Sequence, residues 1–327
     1  MAIPSPAAQA QGLAEAGRFD QAYRLLTAAA AAEDREALFA LAGWRLSGQI
    51  VHRDLAAARD LYRRAAEAGL QDAAAIHTAF VAGGVGGEAD WPMAMRLLER
   101  YDYPGAAAQL ALIGSMAVTP AGDPAGLPAA RKLSESPEAT AFPSLFTSAE
   151  CDFLIAQAEP WLAPSMVIDP RTGGQLRNPI RTSDSMSFGY VLENPAIHVL
   201  NRRLASASGT DPRQGESLQV LRYRPSQEYK AHLDALTGEA NQRILTLLVY
   251  LNDDYQGGET MFLRTGLRFK GRKGDALLFR NALPDGRADE LAQHAGLPVT
   301  AGEKIIASRW IRARPFVFPP PRPMLDA

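Results

Sequence analysis

Three residues carry the densest chemistry in this chain: His232, Asp234 and, much further on, His294. Two imidazoles and one carboxylate form a nitrogen and oxygen donor set that suits a divalent first-row metal. Held by strands on one side of an ion, they would make a facial triad with open positions, the geometry expected of a non-haem iron(II) oxygenase. The first two belong to a His-x-Asp triplet. On a strand, alternate side chains share a face, so His232 and Asp234 would point together while Leu233 enters the opposite layer. Taken alone the triplet is weak, since it arises by chance in many proteins. A lone histidine is more often a satisfied core residue than a ligand. Lys304 and Trp310 follow His294 closely and add to its value. His52, His77 and His198 have no carboxylate or cysteine at ligand spacing and read as structural or exposed.

The elements that must position these residues are short β-type runs: Ser217 to Tyr223, Ile244 to Leu251, Thr260 to Leu263, Ala276 to Phe279 and Lys304 to Ile311. Gly257-Gly258 and Lys273-Gly274-Asp275 supply turn signals between several of them. Many short strands with little intervening helix predict a jelly roll or sandwich. Helices are predicted before them, at 148–159 and 195–207. Thr147 and Glu150 have capping-box spacing, and Cys151 falls on the apolar face with Leu154, Ile155 and Ala158. Cys151 therefore reads as a buried helix residue rather than a reactive thiol.

Upstream the texture differs. Residues 6–115 are rich in alanine and leucine at helical spacing. Ala37, Gly48, Asp54, Ala58 and Leu61 recur as Ala73, Gly84, Asp90, Ala94 and Leu97, each pair 36 residues apart. A fixed period of this size marks a helical-hairpin array. In the first copy, Gly48 ends one helix, Asp54 caps the next (Leu55 to Ala68) and Gly69 terminates it. The pattern resembles Sel-one-like repeats, relatives of tetratricopeptide arrays, which usually bind proteins on a concave face. The open alternative is that the array only braces the second domain. Residues 116–141 hold several prolines and glycines without apolar periodicity and read as a linker. Residues 318–327 read as an extended, frayed tail.

Bulk properties narrow the choice further. Hydrophobic content of 47% and charged content of 21% are those of a globular protein, and a net charge of −2 argues against a nucleic-acid partner. One cysteine cannot form an internal disulfide, which points to a reducing compartment, the cytoplasm. The N-terminus lacks the pattern of a secretory signal, and no apolar run reaches about 18 residues, so no membrane span is expected.

Downstream, several motifs stand in a fixed order: Leu218-Gln219-Val220-Leu221-Arg222-Tyr223-Arg224-Pro225 before the triplet, then the run from Arg243 to Asp253, Gly257-Gly258-Glu259-Thr260-Met261-Phe262, and Lys273-Gly274-Asp275-Ala276. His294-Ala295-Gly296, Gly302-Glu303-Lys304 and Arg309-Trp310-Ile311-Arg312 close the series. Over residues 142–317 this set closely resembles the catalytic domain of prolyl 4-hydroxylases, within the 2-oxoglutarate- and iron(II)-dependent dioxygenases. The resemblance implies a double-stranded β-helix (jelly roll), giving an α+β multidomain chain with an N-terminal helical array. It implies that His232, Asp234 and His294 are iron ligands and that Lys304 pairs with the far carboxylate of 2-oxoglutarate. Tyr223 and Thr260 match positions that line or hydrogen-bond the cosubstrate, Trp310 an aromatic wall, and Arg243 a substrate-binding position. The implied reaction consumes dioxygen and 2-oxoglutarate, releases succinate and carbon dioxide and hydroxylates a protein or peptide substrate at proline, with ascorbate as reductant. Asp234 also separates the chain from related iron halogenases, which lack that carboxylate. One departure stands out. Pro225-Ser226 replaces a common proline-glycine pair, so the turn before the metal strand is expected to differ slightly. The stretch Met166 to Asp184, with Gly173, Gly174 and Pro179, resembles a mobile loop that closes over peptide. Two alternatives remain: the same chemistry on another side chain or a small molecule, or an adaptor whose oxygenase-like domain only senses metal or oxo acid.

Overall fold

The computed structural model describes residues 4–168, 175–177 and 179–326. The chain divides into two compact units: Met1–Gly122 with Tyr190–Val199 and Phe318–Ala327, and Asp123–Gly189 with Leu200–Val317.

The first unit holds helices α1 (Pro6–Glu15), α2 (Phe19–Ala31), α3 (Arg35–Ser47), α4 (Leu55–Glu67), α5 (Gln71–Gly83), α6 (Trp91–Arg100) and α7 (Ala106–Ser115). The period is visible in the caps. Gly48 and Gly84 end α3 and α5 in the left-handed conformation, at φ 71° and 72°. Asp54 and Asp90 cap α4 and α6, each accepting the backbone N–H three residues on, at 2.9 Å. Ala37, Ala58, Ala73 and Ala94 are fully buried, where a larger side chain would push adjacent helices apart. The proline-rich end of the chain is not frayed. Met324 N and Leu325 N donate to the carbonyls of Gln49 and Ile50 at 2.9 and 2.8 Å, and the Arg53 guanidinium donates to Phe318 O at 2.6 Å.

Two more helices follow, α8 (Ser148–Ala158) and α9 (Pro195–Ser208), close to their predicted bounds. Thr147 and Glu150 form the expected capping box, and Cys151 is buried.

The second unit is a two-layered antiparallel β-structure. Its strands are β1 (Arg131–Glu135), β2 (Glu138–Phe142), β3 (Ala163–Pro164), β4 (Met166–Ile168), β5 (Gln175–Arg177), β6 (Asp184–Ser187), β7 (Gln219–Tyr223) and β8 (Tyr229–His232). Then come β9 (Arg243–Tyr250), β10 (Gln256–Gly257), β11 (Thr260–Phe262), β12 (Arg268–Phe269), β13 (Ala276–Arg280), β14 (His294–Gly296), β15 (Val299–Ala301) and β16 (Lys304–Arg312). The large sheet runs β1-β2-β13-β9-β16-β7-β6-β3 and a small one β12-β11-β14-β8, with β10–β15 and β4–β5 as separate pairs. Leu221, Tyr223, Leu248, Tyr250 and Ile306 from the large sheet pack with Phe262 and Phe269 of the small one, and Phe262 meets Phe279 edge to face at 5.2 Å. This is the jelly-roll core, in which each fully buried large side chain contributes about 1.5–3 kcal/mol.

The supposed linker is partly structural. Residues 131–142 form the β1–β2 hairpin, and β2 adds to the large sheet through β13. Ala139 and Ala141 are small, but the alternation places both in the core, with Leu133 packed against it. Proline content hid this pattern. Gly173 and Gly174, part of the expected closing loop, lie outside the described residues; Met166 and Leu176 on β4 and β5 are exposed.

Candidate active site

Strand alternation brings one set of side chains to the inner face of the large sheet. On β16 these are Lys304, Ile306, Ser308 and Trp310, on β7 Leu221 and Tyr223, and on β9 Leu248; all line one cavity. The small sheet closes it with Tyr229, His232, Thr260, His294 and Gly296, and Asp234 completes the lining. The register is direct: His294 lies opposite His232 in the β14–β8 pair, and Lys304 opposite Tyr223 in the β16–β7 pair.

The His232, Asp234 and His294 ligand atoms lie within 4.8 Å of one another. Asp234 falls just past the end of β8 rather than on it, yet its carboxylate still meets both imidazoles. His232 Nε2 is 3.5 Å from Oδ1 and His294 Nε2 3.7 Å from Oδ2, at or beyond the limit of a good hydrogen bond. The far sides of the rings are tied down. His232 Nδ1 donates to Lys230 O at 2.8 Å and His294 Nδ1 to Ala292 O at 2.9 Å. A carbonyl only accepts, so each Nδ1 carries a proton, and it is Nε2 of each ring that turns toward Asp234. Tyr229 stacks on His232 at 3.5 Å between centroids.

Electrostatics fix the states of His294 and Asp234. Burial pushes His294 down to about 4, against the opposing pull of Asp234, so it is neutral near pH 7. Burial would raise the Asp234 carboxyl, but His232, His294 and the Thr246 hydroxyl override it and hold the group well below the usual carboxylate range. Two imidazole nitrogens and one anionic oxygen, spaced too widely to satisfy one another, fit a divalent cation.

At the lysine end, Lys304 is buried. Its Nζ donates to Gly258 O at 2.6 Å and lies 5.6 and 5.4 Å from the rings of Tyr223 and Tyr250. Burial pushes its ammonium down to about 7. Gly258, at φ 70°, makes the approach feasible: a Cβ there would sit 3.1 Å from both Lys304 Cδ and Tyr255. Thr260 lines the cavity but its hydroxyl is 2.9 Å from Tyr250 OH. Arg243 is not among the cavity-lining residues. It stacks on Trp310 at 3.8 Å and is held by Glu216 at 2.7 and 2.9 Å, with Arg312 on the same carboxylate at 2.6 Å.

Sequence reasoning missed Tyr229, Thr246 and Asn281. The last two link to Asp234 through Thr246 Oγ1–Asp234 Oδ2 at 2.6 Å and Asn281 Nδ2–Thr246 Oγ1 at 2.8 Å. A polar residue inside the otherwise apolar run Ile244 to Val249 was the available signal.

Residues 218–312 match the family model of the 2OG-Fe(II) oxygenase superfamily. Prolyl 4-hydroxylase 1 of Arabidopsis thaliana is 36% identical over 201 residues, covering 56% of this chain and 71% of that protein. Prolyl 4-hydroxylase 5 of the same plant is 33% identical over 208 residues, covering 56% and 71%. The viral collagen prolyl hydroxylase of Paramecium Bursaria Chlorella virus-1, solved with 2OG, is 30% identical with a TM-score of 0.43, covering 54% of this chain and 96% of that one. By the family model and the plant relatives, the chain is an oxidoreductase belonging to the prolyl 4-hydroxylase-like 2OG-Fe(II) oxygenases.

Proposed function

We propose that this protein hydroxylates a prolyl residue of a protein or peptide, using iron(II), 2-oxoglutarate and dioxygen and releasing succinate and carbon dioxide. The carrying observation is that His232, Asp234 and His294 share one cavity with buried Lys304. The plant relatives named prolyl 4-hydroxylases support proline as the target. Bound iron and 2-oxoglutarate would supply the oxidising power for C–H hydroxylation. The chain's own residues orient and enclose. His232, Asp234 and His294 would hold the metal, with the imidazoles aimed by their carbonyl partners. Lys304 would exchange its bond to Gly258 O for the far carboxylate of the oxo acid, offsetting the cost of burying that charge. Tyr223, Thr260 and Trp310 wall the cavity, and Arg243 with Glu216 fixes the Trp310 plane from which substrate would be met.

Anaerobic loading with iron(II) and 2-oxoglutarate, followed by oxygen, should yield succinate, and His232→Ala should abolish it. Succinate formation retained in that variant would remove His232 from the metal site. Screening proline-containing peptides for a gain of one oxygen by mass tests the target.

In the same proposal, residues 6–115 form a recruiting array for the protein substrate, and 142–317 with the β1–β2 hairpin form the oxygenase domain. Ascorbate serves as reductant. The protein works in the cytoplasm, a reading supported by its single, buried cysteine. A protein substrate turned over no faster than its isolated prolyl peptide would count against recruitment.

A further inference from the structure

Asp234 is not free to choose its orientation. Its Oδ2 accepts from Thr246 Oγ1 at 2.6 Å, and Thr246 Oγ1 lies 2.8 Å from Asn281 Nδ2. Asp234, Thr246 and Asn281 are all buried. The donor order follows from chemistry. An ionised carboxylate only accepts, so the threonine must spend its single proton on Oδ2. Its other neighbour must then donate to it, which makes the Asn281 amide nitrogen the correct partner. Asn281 is itself anchored through the backbone, its N–H donating to Ile244 O at 2.8 Å and its carbonyl accepting from Asp289 N at 2.9 Å. Thr246 sits mid-strand on β9, opposite Phe279 of β13 and Trp310 of β16, and is fully buried.

We propose that Thr246 and Asn281 are positioning residues for the metal site: their hydrogen-bond chain ties down Oδ2 of Asp234 and leaves Oδ1 as the oxygen presented to the cation. The chain would thereby hold the carboxylate to one donor oxygen and keep the position beside it open for the oxo acid. This rests on reading the triad as a metal site. Neither residue touches cosubstrate or substrate in this scheme; both act through Asp234.

The test is cobalt(II) affinity of the full chain, measured by competition with a chromogenic chelator, together with the visible absorption of the bound cobalt. Thr246→Val, which replaces the hydroxyl by a methyl of similar size, should weaken cobalt binding about 10–100-fold, as loss of an outer partner typically does. Its cobalt absorption should also change, as the carboxylate swings to offer both oxygens. Thr246→Ser should restore both affinity and spectrum. Asn281→Ala should weaken binding less, and the Thr246→Val/Asn281→Ala pair no more than Thr246→Val alone, because Asn281 works through the threonine. Wild-type affinity and spectrum in Thr246→Val would overturn the proposal. So would a double variant whose losses add. If Thr246→Val fails to fold, by melting of the metal-free protein, Asn281→Ala decides alone: unchanged affinity and spectrum sink the idea. Asp234→Ala separates the two levels. If it too binds cobalt normally, the metal reading falls; if it alone loses cobalt, only the positioning chain falls.

Discussion

The two ends of the cavity are built on different plans. At the triad every donor has a second partner: two backbone carbonyls hold the imidazoles, and Thr246 holds the carboxylate. At the other end Lys304 hydrogen-bonds a single backbone carbonyl, between two tyrosine rings. Under the proposed function, the metal end is pre-organised by these bonds, while the lysine end would be completed by the oxo acid's charge. One end resists change; the other titrates.

The largest effect should come from breaking the rigid end. His294 is buried against His232, Phe279 and Phe262, with centroids at 4.2, 4.7 and 5.8 Å, and the two phenylalanines offer no donor atom in place of its Nε2. His294→Ala should reduce the metal retained after dialysis to background and stop succinate formation, while 2-oxoglutarate-independent folding persists. Metal retained at the wild-type level would show that the triad is not the metal site.

Lys304→Met should spare the metal end and damage the other. It keeps the length of the side chain and removes the charge. A hydrogen bond to a charged group contributes about 1.5–3 kcal/mol, or roughly 10–150-fold in 2-oxoglutarate affinity. Metal affinity should stay within about threefold, since changes outside one hydrogen-bond network are nearly independent. Calorimetric titration of the metal-loaded protein under nitrogen reads both.

The titration itself sharpens the contrast. Lys304 is pushed down to about 7 from the ordinary 10.5 by burial. Between those values the unfolded chain binds more protons than the folded one, so this residue makes stability rise with pH across that window, and its cost is greatest below pH 7. Cosubstrate binding has the opposite sign. A dicarboxylate favours the ammonium, so binding takes up a proton above pH 7, and affinity should weaken by up to about tenfold per pH unit there. His294, held down to about 4, stays neutral throughout this range and adds nothing to the slope. Affinity flat from pH 7 to 9 would show that the lysine keeps its charge without a partner.

The halves also differed in how far the sequence exposed them. The array was legible because its signals are local: Asp54 and Asp90 as caps, Gly48 and Gly84 as stops, each within one helical turn of what it controls. The triad was legible because metal chemistry needs rare residue types. Thr246 and Asn281 were not, since a threonine and an asparagine near strands are ordinary, and only the β9–β13 register brings them to Asp234. Tyr229 carried no signal of its own, and only the fold brings its ring onto His232. Among 131–142, Pro137 and the proline-rich stretch before it outweighed an alternation carried by two alanines. Arg243 was expected toward substrate, and its distant partner Glu216 could not be seen from spacing.

The smallest expected effect concerns the turn that delivers β8 to the metal end. Ser226 adopts φ 69°, left-handed backbone that glycine occupies freely and other residues at a cost of roughly 1–2 kcal/mol. The conformation is held by its N–H, which donates to Val299 O at 2.8 Å. Ser226→Gly removes the steric cost but adds backbone freedom to the unfolded chain, about 0.5–1 kcal/mol in the other direction. The net should be a stabilisation of about 0.5–1 kcal/mol, seen as a higher denaturation midpoint of the second unit. If the metal end owes its order to its own hydrogen bonds, relaxing this turn will leave cobalt affinity unchanged. A stabilised variant that binds metal more weakly would mean instead that the turn aims His232, and the rigidity of that end would then have to be credited to the backbone leading into it.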